Sequence, residues 1–118
     1  MILVVEPDPA TQTALLNTLA GEGHTAVAVS NGTEALNAAK QDPPYVVLLS
    51  LNLPDVDGPL LRERLRAVPG CATTPVLFLV KKYDVESSTF GLPMGDDFVM
   101  KPLRMAELLH RVNALLLR

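Results

Sequence analysis

Side chains able to do chemistry collect at a few places in this 118-residue chain. Glu6 and Asp8 alternate with Pro7 and Pro9 directly after an apolar run, and Asp55 and Asp57 sit between Asn52-Leu53-Pro54 and Gly58. Asp96 and Asp97 lead into a short apolar triplet that Lys101-Pro102 closes. Ser50 ends another apolar run, but a serine hydroxyl is essentially never ionised at neutral pH and needs a positioned base to act as a nucleophile. The two histidines do not supply one by spacing. His24 falls in a helix–strand turn and His110 in the last helix, without ligand spacing between them, so both read as surface residues. Asp8, Asp55 and Asp57 read as helix caps and turn residues, and Asp96 and Asp97 as loop solvation. The Glu6–Pro9 loop has no glycine to let backbone N–H groups cradle a phosphate, which argues against a flavin- or dinucleotide-type cofactor site.

The elements that must position these residues are legible from hydrophobic pattern. Strands are expected at Ile2–Val5, Ala26–Val29, Tyr45–Leu49, Val76–Val80 and Phe98–Met100. Their apolar runs are continuous rather than alternating, as in a parallel sheet covered on both faces. A first helix starts at Asp8-Pro9, runs through Ala14, Leu15 and Leu19, and ends at Gly21-Glu22-Gly23. A second starts at Asn31 with Glu34 as its capping-box partner and buries Ala35, Leu36 and Ala39. A third opens at Asp57-Gly58-Pro59 and carries Leu60, Leu61, Leu65 and Val68. A fourth, over Tyr83–Phe90, is expected to be short because Ser87, Ser88 and Thr89 are poor helix formers. The fifth, from about Met105, places Leu108, Leu109, Val112, Leu115 and Leu116 on one face. All ten prolines fall between or at the edges of these elements. Alternation of strand and helix demands right-handed crossovers and a doubly wound α/β sheet.

Composition sets the outer limits. The net charge of −3 gives no basic patch for nucleic acid or a membrane surface. No apolar run reaches the length of a membrane span, and no export signal opens the chain. Cys71 is the one cysteine, so no internal disulfide forms; it reads as a small loop residue, and a reducing cytoplasm is the expected compartment.

In this order the residues resemble the receiver domains of bacterial response regulators in two-component signalling. The resemblance covers residues 1–118 as one domain. It rests on ILVVEPDP at the start, VVLLSLNLPDVDG over 46–58, PVLFLV over 75–80 and GDDFVMKP over 95–102. It implies a flavodoxin-like (βα)5 sandwich with sheet order 2-1-3-4-5. It also implies a site at the carboxyl ends of the strands: an aspartate that takes a phosphoryl group, two carboxylates and a backbone carbonyl that hold Mg²⁺, a Ser or Thr on the fourth strand, an aromatic switch on the fifth, and a lysine.

This chain departs from that scheme. The phosphoacceptor position is Ser50, the acidic pair is Glu6 and Pro7, the hydroxyl position is Val80, and the aromatic position is Phe98. Lys101 is unchanged, Pro102 follows it across a bond often cis in the family, and Asn52 stands where the family supplies its carbonyl. No cofactor and no metal are expected, Glu6 and Asn52 being all that is left for a cation. Lys101 is expected to pair with Glu6 instead. The implied function is therefore not enzymatic. It is that of a pseudo-receiver, a phosphorylation-independent interaction module in phosphorelay signalling. The alternative is a working phosphoacceptor using a substitute residue in the Ser50–Asp57 loop.

The expected partner is a protein or a second copy, bound through the face of the fourth helix, fifth strand and fifth helix. There Phe98 is expected to be fixed inward, the loop Gly91–Gly95 is one residue shorter than the family pattern, and Leu117 falls outside the packed stripe of Leu103, Leu108, Leu109, Leu115 and Leu116.

Overall fold

A computed structural model describes residues 1–82 and 97–117. The elements are β1 (Ile2–Val5), α1 (Pro9–Gly21), β2 (Ala26–Val29), α2 (Gly32–Gln41), β3 (Val46–Ser50), α3 (Gly58–Arg66), β4 (Val76–Val80), β5 (Asp97–Met100) and α4 (Met105–Leu116). The helix expected over Tyr83–Phe90 and the loop Gly91–Gly95 lie outside the described residues, so α4 is the helix expected as the fifth.

The sheet is five-stranded in the order β2-β1-β3-β4-β5, with every neighbouring pair parallel. Successive side chains on a strand point to opposite faces, and the continuous apolar runs accordingly feed two cores. Leu3, Val5, Val47, Leu49, Val76, Phe78 and Val80 pack under α2 and α3 with Ala35, Ala39, Leu61 and Leu65. Ile2, Val4, Val46, Leu48, Leu77, Leu79 and Val99 pack under α1 and α4 with Leu15, Leu19, Leu108, Val112 and Leu115. Leu36 lies only partly buried against the first of these cores.

Helix starts follow the capping signals. The Asp8 carboxylate accepts from the Thr11 N–H at 3.0 Å, the Asn31 side-chain Oδ1 from the Glu34 N–H at 2.9 Å, and the Asp57 carboxylate from the Leu60 N–H at 2.8 Å. The exit from α1 uses the left-handed φ of 82° at Gly23, a conformation glycine adopts without steric cost.

Some boundaries move. Tyr45 is outside β3 and 42% exposed, although its N–H bonds the Met1 carbonyl at the amino end of the sheet. The strand instead runs on to Ser50. Asp97 joins β5. Val68 is buried but lies past the end of α3. Among the described residues no helix is long and apolar enough to cross a membrane.

The third helix begins unusually close to the end of β3. The Gly58 N–H donates to the Leu51 carbonyl at 2.7 Å, and a Cβ at position 58 would lie 3.0 Å from both the Leu51 Cα and the Ser50 carbonyl oxygen. Those neighbours are backbone and cannot rotate away. Gly58→Ala is therefore expected to destabilise the domain by about 1–3 kcal/mol, the range for overpacking, read as a lowered midpoint in urea unfolding. An unchanged midpoint would show that the β3–α3 connection gives way freely.

Candidate functional site

Parallel register brings the strand ends together. Val5 pairs with Leu49, Ser50 with Leu79, and Val80 with Met100, so Glu6, Ser50 and Lys101 all fall at the carboxyl ends of β1, β3 and β5 on one edge of the sheet. The backbone holds them there: the Glu6 N–H donates to the Val29 carbonyl at 3.0 Å and the Lys101 N–H to the Val80 carbonyl at 2.6 Å. The Lys101-Pro102 bond is cis.

The side chains form a closed triangle. Glu6 is 1% exposed and Ser50 2%. Lys101 Nζ lies 2.5 Å from Glu6 Oε1 and donates to Ser50 Oγ at 3.1 Å, while Ser50 Oγ donates to the same Glu6 oxygen at 2.7 Å. Glu6 Oε2 accepts from the Asp8 N–H at 2.8 Å. The expected Glu6–Lys101 pair is thus direct, and Ser50 completes it. The Lys101 side chain is 19% exposed, reaching the pair from the open side. Charge-assisted hydrogen bonds of this length are the strong ones, and a buried carboxylate needs them.

Above the triangle is a cleft of about 350 Å³ lined by Glu6, Pro7, Asp8, Thr11, Ser50, Leu51, Asn52, Leu79, Lys81 and Lys101. Val80 is fully buried in the core and does not line it. Neither His24 nor His110 lines it; the base nearest the Ser50 hydroxyl is Glu6 itself. Two cleft residues, Thr11 and Lys81, were not singled out from sequence. Lys81 had a signal, since it directly follows the last residue of β4. Gln12 was missed as well: its side-chain amide donates to the Glu6 carbonyl at 2.6 Å, the Val29 carbonyl at 3.2 Å and Ser30 Oγ at 3.1 Å, tying α1 to the β1 exit.

Four acidic residues do local work. Asp8 caps α1, and its bonds from the Thr11 hydroxyl and N–H hold its carboxyl below the usual range. Asp57 caps α3. Asp55 is more than a turn residue: it accepts from the Gly32 N–H at 2.8 Å, the Thr33 N–H at 3.1 Å and the Thr33 hydroxyl at 3.0 Å. Those bonds, the Gly32 N–H first, lower its pKa and pin the β3–α3 loop to the start of α2. A bridge between Asn52 and Asp57 closes the same loop, with Asn52 exposed at its base. Asp97 is not loop solvation as expected. Both of its carboxylate oxygens accept from the same Arg111 nitrogen, Nη1, at 2.7 and 2.9 Å, which raises the arginine's pKa, because β5 begins one residue early and turns this carboxylate toward α4. Asp96 lies outside the described residues.

On the other edge, Phe98 is half-buried against the core under α2 and α3 rather than fully inward. It also lines a groove of about 310 Å³ with Val99, Met100, Arg104, Glu107 and Arg111. Leu117 follows α4 at 87% exposure and is not part of that groove. Cys71 is buried and unpaired.

Comparison with known proteins points one way. The family model of the response regulator receiver domain matches residues 2–113. The chain is 40% identical over 118 residues to the DNA-binding response regulator MtrA of Mycolicibacterium smegmatis, covering 99% of this chain and 50% of that protein. It is 37% identical over 115 residues to the transcriptional regulatory protein KdpE of Mycobacterium tuberculosis, covering 97% of this chain and 50% of that one. The chain therefore spans about half the length of the curated relatives it matches. Among solved structures, a response regulator from Chloroflexus aurantiacus described as putative superimposes with a TM-score of 0.89 at 30% identity, over 99% of this chain and 97% of that one. The receiver domain of sensor histidine kinase PA1611 from Pseudomonas aeruginosa, with a magnesium ion coordinated in its active-site cleft, does so with 0.86 at 26% identity, over 99% and 97%.

The residues here do not fit such an ion. Mg²⁺ wants octahedral oxygen ligands and is bound through carboxylates, but Glu6 Oε1 is taken by an ammonium and a hydroxyl and Pro7 has no ligand atom to offer. Among the described residues no three His, Cys, Asp or Glu side chains are grouped to hold a metal.

Glu6→Ala is expected to cost roughly 3 kcal/mol, the low end for a broken buried pair because water partly reaches Lys101. Chemical denaturation measures it, and a loss within error of zero would mean that Lys101 is neutralised from elsewhere.

Proposed function

The chain belongs to the response regulator receiver domain family, and from that premise we propose that it is a pseudo-receiver, a protein-interaction module that works without phosphoryl input. The observation that carries the reading is the 2.5 Å contact of Lys101 Nζ with Glu6 Oε1. The two charges that a transfer site would turn toward phosphate and metal are turned on each other. Ser50 offers a neutral hydroxyl where an acyl phosphate needs a carboxylate. Val80, buried and without a hydroxyl, has no donor for a phosphoryl oxygen.

The alternative, Ser50 as a substitute acceptor, has one observation in its favour. Its hydroxyl donates to Glu6 at 2.7 Å, which places a base in reach. The ammonium on that same oxygen works against it, because Glu6 Oε1 is already engaged by the Lys101 Nζ as well as by the hydroxyl. Of the other carboxylates in the loop, Asp55 is engaged at the start of α2 and Asp57 caps α3.

For the working surface we take the β5–α4 face. Its groove presents Met100, 41% exposed, between side chains of both signs: Arg104 and Arg111 against Glu107, with Asp97 beside it holding Arg111. A face carrying both signs is not barred by like-charge repulsion from meeting a second copy about a two-fold axis, one condition for an isologous dimer. DNA binding, named for the twice-longer relative, is not assigned to this domain.

Two measurements test the proposal. Incubation with Mg²⁺ and a small acyl phosphate is expected to leave the intact mass unchanged; a stoichiometric phosphoryl gain mapped to any residue of the Ser50–Asp57 loop overturns the reading. Sedimentation is expected to show association that is indifferent to the phosphodonor and weakened by Met100→Glu or Leu117→Glu. A monomer whose capture of cellular proteins is also untouched by these changes would remove the surface assignment.

A further inference from the structure

We propose that the Lys101 ammonium is the resident cation of the cleft, seated on Glu6 so that a divalent metal ion is shut out. The inference rests on the pseudo-receiver reading and supplies a physical cause for it. Glu6 is 1% exposed, and a carboxylate so deeply placed requires a compensating positive charge. Lys101 provides that charge at 2.5 Å, and Ser50 locks the arrangement by donating to Glu6 and accepting from Lys101 at once.

Count the charges of the triangle: one carboxylate, one ammonium and one neutral hydroxyl sum to zero. A dication is drawn to a site by net negative charge and must come within about 2.0–2.1 Å of its oxygen ligands. Here Oε1 can be reached only by displacing Nζ, and Oε2 is held by the Asp8 N–H at 2.8 Å. Asp8 itself turns its carboxylate to Thr11. The lysine that the resemblance assigns to a phosphoryl group has thus become a counter-ion, and metal exclusion follows from its position rather than only from lost ligands.

The consequence is specific: removing the ammonium while keeping its aliphatic stem leaves an uncompensated buried carboxylate, and the cleft gains affinity for a divalent cation. Thermal unfolding of wild type, Lys101→Met, Glu6→Gln and the double variant, each in chelator, millimolar Mg²⁺ or millimolar Mn²⁺, tests it. The wild-type midpoint is expected to be the same in all three media. Lys101→Met is expected to melt lower than wild type in chelator and to recover several degrees in Mn²⁺, a recovery that Glu6→Gln abolishes in the double variant. Folded Lys101→Met with no cation-dependent shift overturns the proposal, as does Mn²⁺ broadening of wild-type amide resonances around Glu6. If Lys101→Met folds in no medium, the wild-type Mn²⁺ spectra decide: broadening at Glu6 refutes exclusion and undisturbed resonances support it. Phosphoryl labelling of wild-type Ser50 without metal would sink the functional reading and leave exclusion standing. Mn²⁺ at Glu6 without labelling would do the reverse.

Discussion

The carboxylate of Glu6 sits at the end of β1 where water does not reach, and the rest of the site is arranged around neutralising it. The neutralising charge comes from Lys101, ninety-five residues away in sequence. Only the register of β1, β3, β4 and β5 brings the two ends into contact, so the pair can form only after the central sheet has assembled. The link also works in the other direction. Continuous apolar strands fix the sheet but carry little that distinguishes one layer of Val and Leu from the next. A charged pair that must be matched is a local demand for one register, the best-attested use of buried polar groups.

Around this pair the loops are tied rather than free. Gln12 holds the exits of β1 and β2 together through three acceptors, and Asp55 holds the β3–α3 loop through three donors on Gly32 and Thr33. Gly58 allows α3 to start against the backbone of Ser50 and Leu51. The cleft walls on the β1 and β3 sides are therefore set by bonds that do not depend on anything bound in the cleft. Protonation of Asp55 would remove its acceptor strength. With its folded pKa lowered, its contribution is fully present above the ordinary carboxylate range and is lost only as pH falls through the lowered value.

Much of this was legible in the residues because the signals are local or periodic. Continuous apolar runs identified the strands, and Asp8-Pro9, Asn31 with Glu34, and Asp57-Gly58 marked helix starts that the structure repeats within a residue. The Glu6–Lys101 contact was legible for a different reason: in a parallel sheet the strand ends converge, and a buried charge must find its opposite. What escaped was long-range and geometric. Asp55 looks like any turn aspartate until the start of α2 is seen to lie against it. Asp97 looks like loop until β5 extends to include it and Arg111 comes round one turn of α4 from Glu107. Tyr45 reads as strand by propensity, yet its position at the bottom of β3 leaves it exposed. Thr11 and Lys81 enter the cleft only because α1 begins and β4 ends beside it, a fact of packing rather than of pattern.

A receiver switches when something bound at the strand ends interacts differently with two states of the far face. A ligand with no differential interaction shifts no equilibrium, however tightly it binds. On the proposed reading the cleft has lost both terms of that difference. Its charge is balanced internally, so adding or removing an external ion changes little, and Val80 presents a buried methyl surface where a hydroxyl would make one state's contact stronger. Phe98 remains on the neighbouring strand, half-buried between the core and the groove that borders α4. Nothing in the triangle reaches it directly, since Val80 and Met100 stand between the cleft and its position in the sheet. On the same proposed reading the β5–α4 face is free to be selected for one geometry, with its affinity for a partner set by its own apolar and charged side chains rather than by an event in the cleft.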